Sequence, residues 1–160
     1  MKLKLFGTVL LITLVASCGF KLKGQYYLPD SLKSIYVSSE KRFSPLRTQV
    51  IKRLTQNQVT ILQSFDETKA ELKVLPESFQ RRTLSLFPNG QVAEYELIYI
   101  ANYQVTLPNQ QPKPFSVELS REFQDDPNNA LAKERERALI LSELRVIASD
   151  RIMAQLIMIK

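Results

Sequence analysis

From residue 93 to residue 107 every odd position is apolar or aromatic (Ala93, Tyr95, Leu97, Tyr99, Ala101, Tyr103, Val105, Leu107), whereas Glu94, Glu96, Asn102, Gln104 and Thr106 stand at even positions. A period of two places the odd set on one face of a strand. The chain must therefore build a sheet with one packed face, and the other face meets solvent or a partner. At about 3.3 Å per residue such a strand exceeds the usual length, so a bend, a bulge or an overhang beyond the sheet is expected. Pro108 ends it.

The flanking segments supply partners for that strand. After a loop rich in proline and glutamine, Phe115, Val117, Leu119, Arg121 and Phe123 alternate with Ser116, Glu118, Ser120 and Glu122, which reads as the last strand and a natural pair for the one before it. Upstream, an alternating piece over residues 79–87 runs into Pro88-Asn89-Gly90, the turn chemistry of a hairpin. Residues 70–75 alternate until Pro76 interrupts them, residues 59–62 suit either a brief strand or an extended link, and residues 32–37 read as a buried first strand.

Two helices complete the pattern. Ser44-Pro45 offers an N-cap with proline at the first helical position, Leu46, Val50, Ile51 and Leu54 form one stripe, and Asn57 suits the C-terminal cap. Asp125-Asp126-Pro127-Asn128-Asn129 offers caps for a long final helix whose stripe is Ile140, Leu141, Leu144, Ile147, Ala148, Ile152, Leu156 and Ile159. Val146, Met153 and Ile157 lie on another side of that helix, where they can serve the protein's own core or a partner.

The N-terminus sets the compartment. Lys2 and Lys4 precede an apolar run from Leu5 to Val15, too short for a bilayer span, and small residues follow it. Leu14-Val15-Ala16-Ser17-Cys18-Gly19 is similar to a bacterial lipobox, which implies cleavage after residue 17 and acylation of Cys18. Three acyl chains would anchor the chain firmly, and Gly19 in place of aspartate implies, by the sorting rule of such lipoproteins, the outer membrane. The division expected is 1–17 signal peptide, 18–30 lipidated N-terminus and tether, and 31–160 a single α/β domain.

Removal of 17 residues from 160 leaves 143, enough for one core, and 44% hydrophobic with 24% charged content is that of a globular protein. The formal charge of +6 falls to +4 once Lys2 and Lys4 depart. That excess suits anionic lipid, nucleic acid or an acidic protein, but export past the inner membrane argues against nucleic acid. With no histidine and its single cysteine committed to lipid, the chain holds no disulfide, no Cys/His metal site and no His-based triad. No catalytic residue, metal ligand or cofactor is expected, and the chain reads as a non-enzyme.

Three blocks identify a resemblance: Cys18-Gly19-Phe20-Lys21-Leu22-Lys23-Gly24; Leu84-Ser85-Leu86-Phe87-Pro88-Asn89-Gly90-Gln91-Val92-Ala93-Glu94-Tyr95; and the run from Arg121-Glu122-Phe123 through Asp125-Asp126-Pro127-Asn128-Asn129-Ala130-Leu131-Ala132-Lys133. Together they resemble the LptE family of lipopolysaccharide-assembly lipoproteins, over nearly all of the mature chain. The resemblance implies an α+β two-layer sandwich, two helices packed on a mostly antiparallel four-stranded sheet. It also implies a lipid-anchored plug at the periplasmic side and in the lumen of the outer-membrane barrel LptD, where lipopolysaccharide is assembled. The alternative is another outer-membrane-anchored protein-binding scaffold or adaptor.

Lipopolysaccharide is an anionic amphiphile, so its site should join cations to an apolar edge. Lys133 is the position the resemblance carries over, with Arg81 and Arg82 near the hairpin tip as further candidates and Phe87, Asn89 and Gly90 as candidate partner contacts. Lys133 in Lys133-Glu134-Arg135-Glu136-Arg137 equally suits a solvated helix face, and the tip equally suits an ordinary turn.

Overall fold

A computed structural model describes residues 28–159; the leader, Cys18 and the tether through Tyr27 lie outside the described residues. In chain order the elements are a 3₁₀ turn at Asp30–Leu32, β1 (Ser34–Ser39), α1 (Pro45–Gln56), β2 (Thr60–Leu62), β3 (Ala70–Val74), β4 (Ser78–Leu86), β5 (Val92–Thr106), β6 (Lys113–Gln124), a 3₁₀ turn at Pro127–Asn129, and α2 (Ala130–Leu156). Leu28 is already buried, so the packed unit takes in part of the segment assigned to the tether.

Local chemistry sets the helix ends. The Ser44 hydroxyl accepts from the Arg47 amide at 3.1 Å and Pro45 opens α1, satisfying one orphan donor and removing another. At the other end the Asn57 side chain donates to the Arg53 carbonyl at 2.8 Å, and Gln58 turns the chain at a φ of 62°. Leu46, Val50 and Leu54 are buried, as their spacing predicts.

β5 is the spine of the sheet. β6 runs along one edge of it, from Glu94↔Gln124 to Val105↔Lys113. The other edge is shared: β4 pairs with its first half (Phe79↔Tyr99) and β3 with its last residues (Leu72↔Val105), both antiparallel. β1 then lies parallel to β3 on one side and to β2 on the other.

The sheet thus has six strands and a parallel flank, where four mostly antiparallel strands were expected. Two local causes account for the difference. Pro76 has no N–H to donate and divides one long strand into β3 and β4, although the Leu75 amide still reaches the Asn102 carbonyl at 3.0 Å. Residues 60–62, which suited strand or link, pair with β1. The α+β class and the two helices on one face of the sheet hold.

Both helices cover the odd-position face. Leu97, Tyr99, Ala101, Tyr103 and Val105 are buried there with Leu144, Ile152, Met153 and Leu156 of α2, and the even positions of β5 are only half-buried. The Tyr103 hydroxyl donates to Gln155 at 2.6 Å, and Arg53 of α1 meets Asp150 of α2 at 2.7 Å. The second apolar line of α2 divides: Met153 is in the core, Val146 is half-buried and Ile157 reaches solvent. The first half of β5, with β4 and the end of β6, overhangs this core. It stays within the sheet, paired on both edges with β4 and β6, so of the bend, bulge or overhang beyond the sheet that were expected the ladder shows an irregularity, the register shifts near Ser85.

Candidate functional site

The overhanging end gathers the residues that sequence reasoning singled out. Its tip is a turn in which the Gly90 amide donates to the Phe87 carbonyl at 2.9 Å and the Phe87 amide donates to the Gln91 carbonyl at 2.8 Å. Gly90 has φ +83°, a conformation glycine adopts without steric cost. The Asn89 side chain accepts from the Gln91 amide at 3.1 Å and donates to the Gln91 side chain at 2.9 Å. Asn89 and Gly90 therefore shape the turn, while Leu84, Leu86 and Phe87 present exposed apolar surface beside it.

The loop after β6 closes on this tip. The Asp125 amide donates to the Ala93 carbonyl at 2.8 Å, and an open cleft of about 700 Å³ lies between Phe87-Pro88-Asn89 and Asp126-Pro127-Asn128. The second and third blocks of the family resemblance are thus neighbours in space. Asp126 accepts from the Asn129 side chain at 2.6 Å and the Asn128 amide at 2.9 Å, bonds that hold its carboxyl below the usual range. They cap the 3₁₀ turn that leads into α2.

Arg81 and Arg82 are adjacent in sequence and part company in the sheet, because successive side chains of a strand point to opposite faces. Arg82 pairs with Glu96 on the outer face. Arg81 lies on the helix-covered face with its guanidinium 5.4 Å from the Tyr95 ring centre. The ammonium of Lys133 lies 5.2 Å from the Phe123 ring centre and 2.8 Å from Glu136. Tyr95 and Phe123 are direct cross-strand partners, so Arg81 and Lys133 stand on neighbouring aromatic rings, each contact worth about 0.5–1 kcal/mol where exposed. Arg82 is not part of that group.

Sequence reasoning missed Arg121. It faces Leu97 across the ladder on the same side as Arg81, is exposed, and has no hydrogen-bonding or charged partner among the described residues. The available signal was its place in the apolar set of β6, between Leu119 and Phe123. Local placement matters here because bulk charge does not: residues 28–159 carry 17 basic against 16 acidic side chains, the remaining five lysines lying outside them.

Where the overhang joins the core, one carboxylate oxygen of Glu77 accepts from the Tyr99 hydroxyl and from Arg145 of α2, both at 2.7 Å, and Arg145 also lies 5.5 Å from the Phe79 ring centre. Burial pushes the Tyr99 hydroxyl well above the ordinary tyrosine value, and the bond to Glu77 and its charge push the same way. Beyond this cluster the first half of α2 bridges a cavity of about 370 Å³ over β4 and β5. Among the described residues no group of three or more acidic or thiol side chains is placed to hold a metal ion, and no helix is long and apolar enough to cross a membrane.

Residues 32–156 match the family model described as LptE, lipopolysaccharide-assembly. Similar proteins include the LPS-assembly lipoprotein LptE of Photorhabdus laumondii, 35% identical over 96% of this chain and 83% of that one, and its namesake from Pectobacterium atrosepticum, 33% identical over 99% and 88%. The crystal structure of rare lipoprotein B from Shewanella oneidensis is 38% identical, with a TM-score of 0.70 over 76% of this chain and 92% of that one.

Proposed function

This chain belongs to the LptE family of lipopolysaccharide-assembly lipoproteins, and on that premise we propose that it is a non-enzymatic plug of the outer-membrane barrel LptD that also touches lipopolysaccharide. Cys18 carries the acyl anchor, on the periplasmic side of the outer membrane, and the folded domain sits in the barrel lumen.

The observation that carries this reading is the two-faced overhang. Its outer face displays Glu94, Glu96, Glu118 and Glu122 with Arg82, a surface suited to the polar lumen of a large barrel that would leak unless filled. Its inner face sets Arg81 and Lys133 on aromatic rings, the pairing of cation with apolar surface that an anionic amphiphile requires. Phe87 at the tip is the apolar contact available to the barrel wall.

Gentle detergent extraction tests the plug. A stable one-to-one complex with a large heat-modifiable barrel is expected, and recovery of the chain without a barrel would leave an outer-membrane scaffold or adaptor in its place. For the ligand, Lys133→Asp should weaken lipopolysaccharide binding by about tenfold, the loss of one charge-assisted contact, with the fold and barrel complex intact. Equal binding by the variant would reduce Lys133 to the helix-face partner of Glu136.

A further inference from the structure

The cavity under the first half of α2 exists because the two layers stop filling the space between them. Over the core, Tyr103, Ile152, Met153 and Leu156 are all fully buried. About four to six turns earlier, α2 offers Glu134, Arg137 and Ala138 to Arg81 and Leu97, and about 370 Å³ stays open. That volume lies within the range of ligand pockets. Its floor and walls are Phe79, Leu97, Leu141 and Leu144.

The occupant is constrained by what the walls lack. Backbone groups of β5 are committed to the β4 and β6 ladders and those of α2 to the helix, and the unpaired outer-edge groups of β4 lie in the plane of the sheet, so none faces into the slot. A peptide entering the slot would leave its own N–H and C=O groups unpaired, whereas a hydrocarbon chain has none to pair. The mouth, in turn, selects charge. Arg137 is neutralised by Glu134 at 2.6 Å, but Arg81, which lines the cavity, and Arg121, which faces Leu97 from β6 just outside it, have no carboxylate partner among the described residues.

We infer that this slot is a binding site for one saturated acyl chain of an anionic amphiphile, with Arg81 and Arg121 taking its phosphate. The inference rests on the lipopolysaccharide reading above and deepens it. It names where a fatty chain is held while the head group meets the cations, and it makes Arg121 a ligand residue.

The test uses dodecyl phosphate carrying a diazirine near its methyl end, added to the processed full chain after extraction and transfer to amphipol. Illumination should place adducts on Phe79, Leu97, Leu141 or Leu144, and unlabelled dodecyl phosphate should suppress them while the matching trimethylammonium cation does not. Ala138→Trp, at an exposed position on the rim, should lower the yield by about tenfold, the affinity lost when roughly two methylenes leave an apolar wall. Adducts confined to exposed Leu131 or Leu139, or suppression by the cation as readily as by the phosphate, would overturn the site, and neither outcome depends on the variant. Lipopolysaccharide bound equally by the parent and Ala138→Trp, with no wall adducts, ends this proposal and leaves the wider reading standing. Wall adducts that lipopolysaccharide fails to suppress end the wider reading and leave the slot.

Discussion

The two halves of β5 carry the same alternation and are covered by the same helix, yet they do different things. In the second half every odd side chain is large or fully enclosed, and opposite it α2 presents Ile152, Met153 and Leu156 with no exposure. In the first half the odd side chains are just as apolar, but their neighbours on the same face are Arg81, Thr83 and Arg121, and α2 answers with Glu134, Arg137 and Ala138. Side-chain volume is matched at one end and withheld at the other. The closed end supplies stability, and the open end leaves apolar and charged surface uncovered by the domain itself.

The largest effect should come from equal truncations at the two ends. Ile152→Ala in the closed end should cost about 2–5 kcal/mol by denaturant titration, whereas Leu131→Ala, at a position 80% exposed, should stay within about 0.5 kcal/mol. Similar costs at both sites would remove the distinction between the halves.

The junction should respond next. Glu77 is only 11% exposed, and Glu77→Ala strands the Tyr99 hydroxyl and Arg145 together, at about 2–3 kcal/mol. Tyr99 and Tyr103 add a pH signature, since burial raises both hydroxyls above their unfolded value. A raised folded value means that the stabilisation is fully present below pH about 10, the unfolded tyrosine value, and is lost progressively above it. Denaturation midpoints that stay flat above that pH would mean that water reaches these rings.

The smallest effect belongs to the open end. Asp126 is held below its ordinary value first by the Asn129 side chain and then by the Asn128 amide, so the stabilisation is present above pH about 4 and lost as pH falls through the folded value. Acidification, or Asp126→Ala, should loosen only the 3₁₀ turn that precedes α2, seen as faster hydrogen exchange at the Asn128 amide. Simultaneous loosening of Ile152 would couple the ends more tightly than their packing does.

Much of this was legible without a structure. The period-two run over residues 93–107 specified both the longest strand and the face that packs, because side-chain direction in a strand depends on nothing beyond the backbone. Ser44-Pro45 and Asn57 marked the ends of α1 for the same reason, since capping is satisfied within a few residues. Pro88-Asn89-Gly90 likewise placed the hairpin turn.

What sequence left open all depends on distant parts of the chain. The parallel pairing of residues 60–62 with β1 needs a neighbour about 25 residues earlier. The separation of Arg81 from Arg82 follows from strand geometry, but the partners each one meets, Tyr95 and Glu96, come from the opposing strand. The value of Arg121 appears only once Leu97 and Arg81 stand beside it. Sequence by itself determined the two helices, the long strands, the inward face and the family, because periodicity, capping and turn chemistry are local. The tertiary structure alone decided which end is closed, which cations lie unpaired and where the slot opens, because volume and charge are matched between segments that only folding brings together.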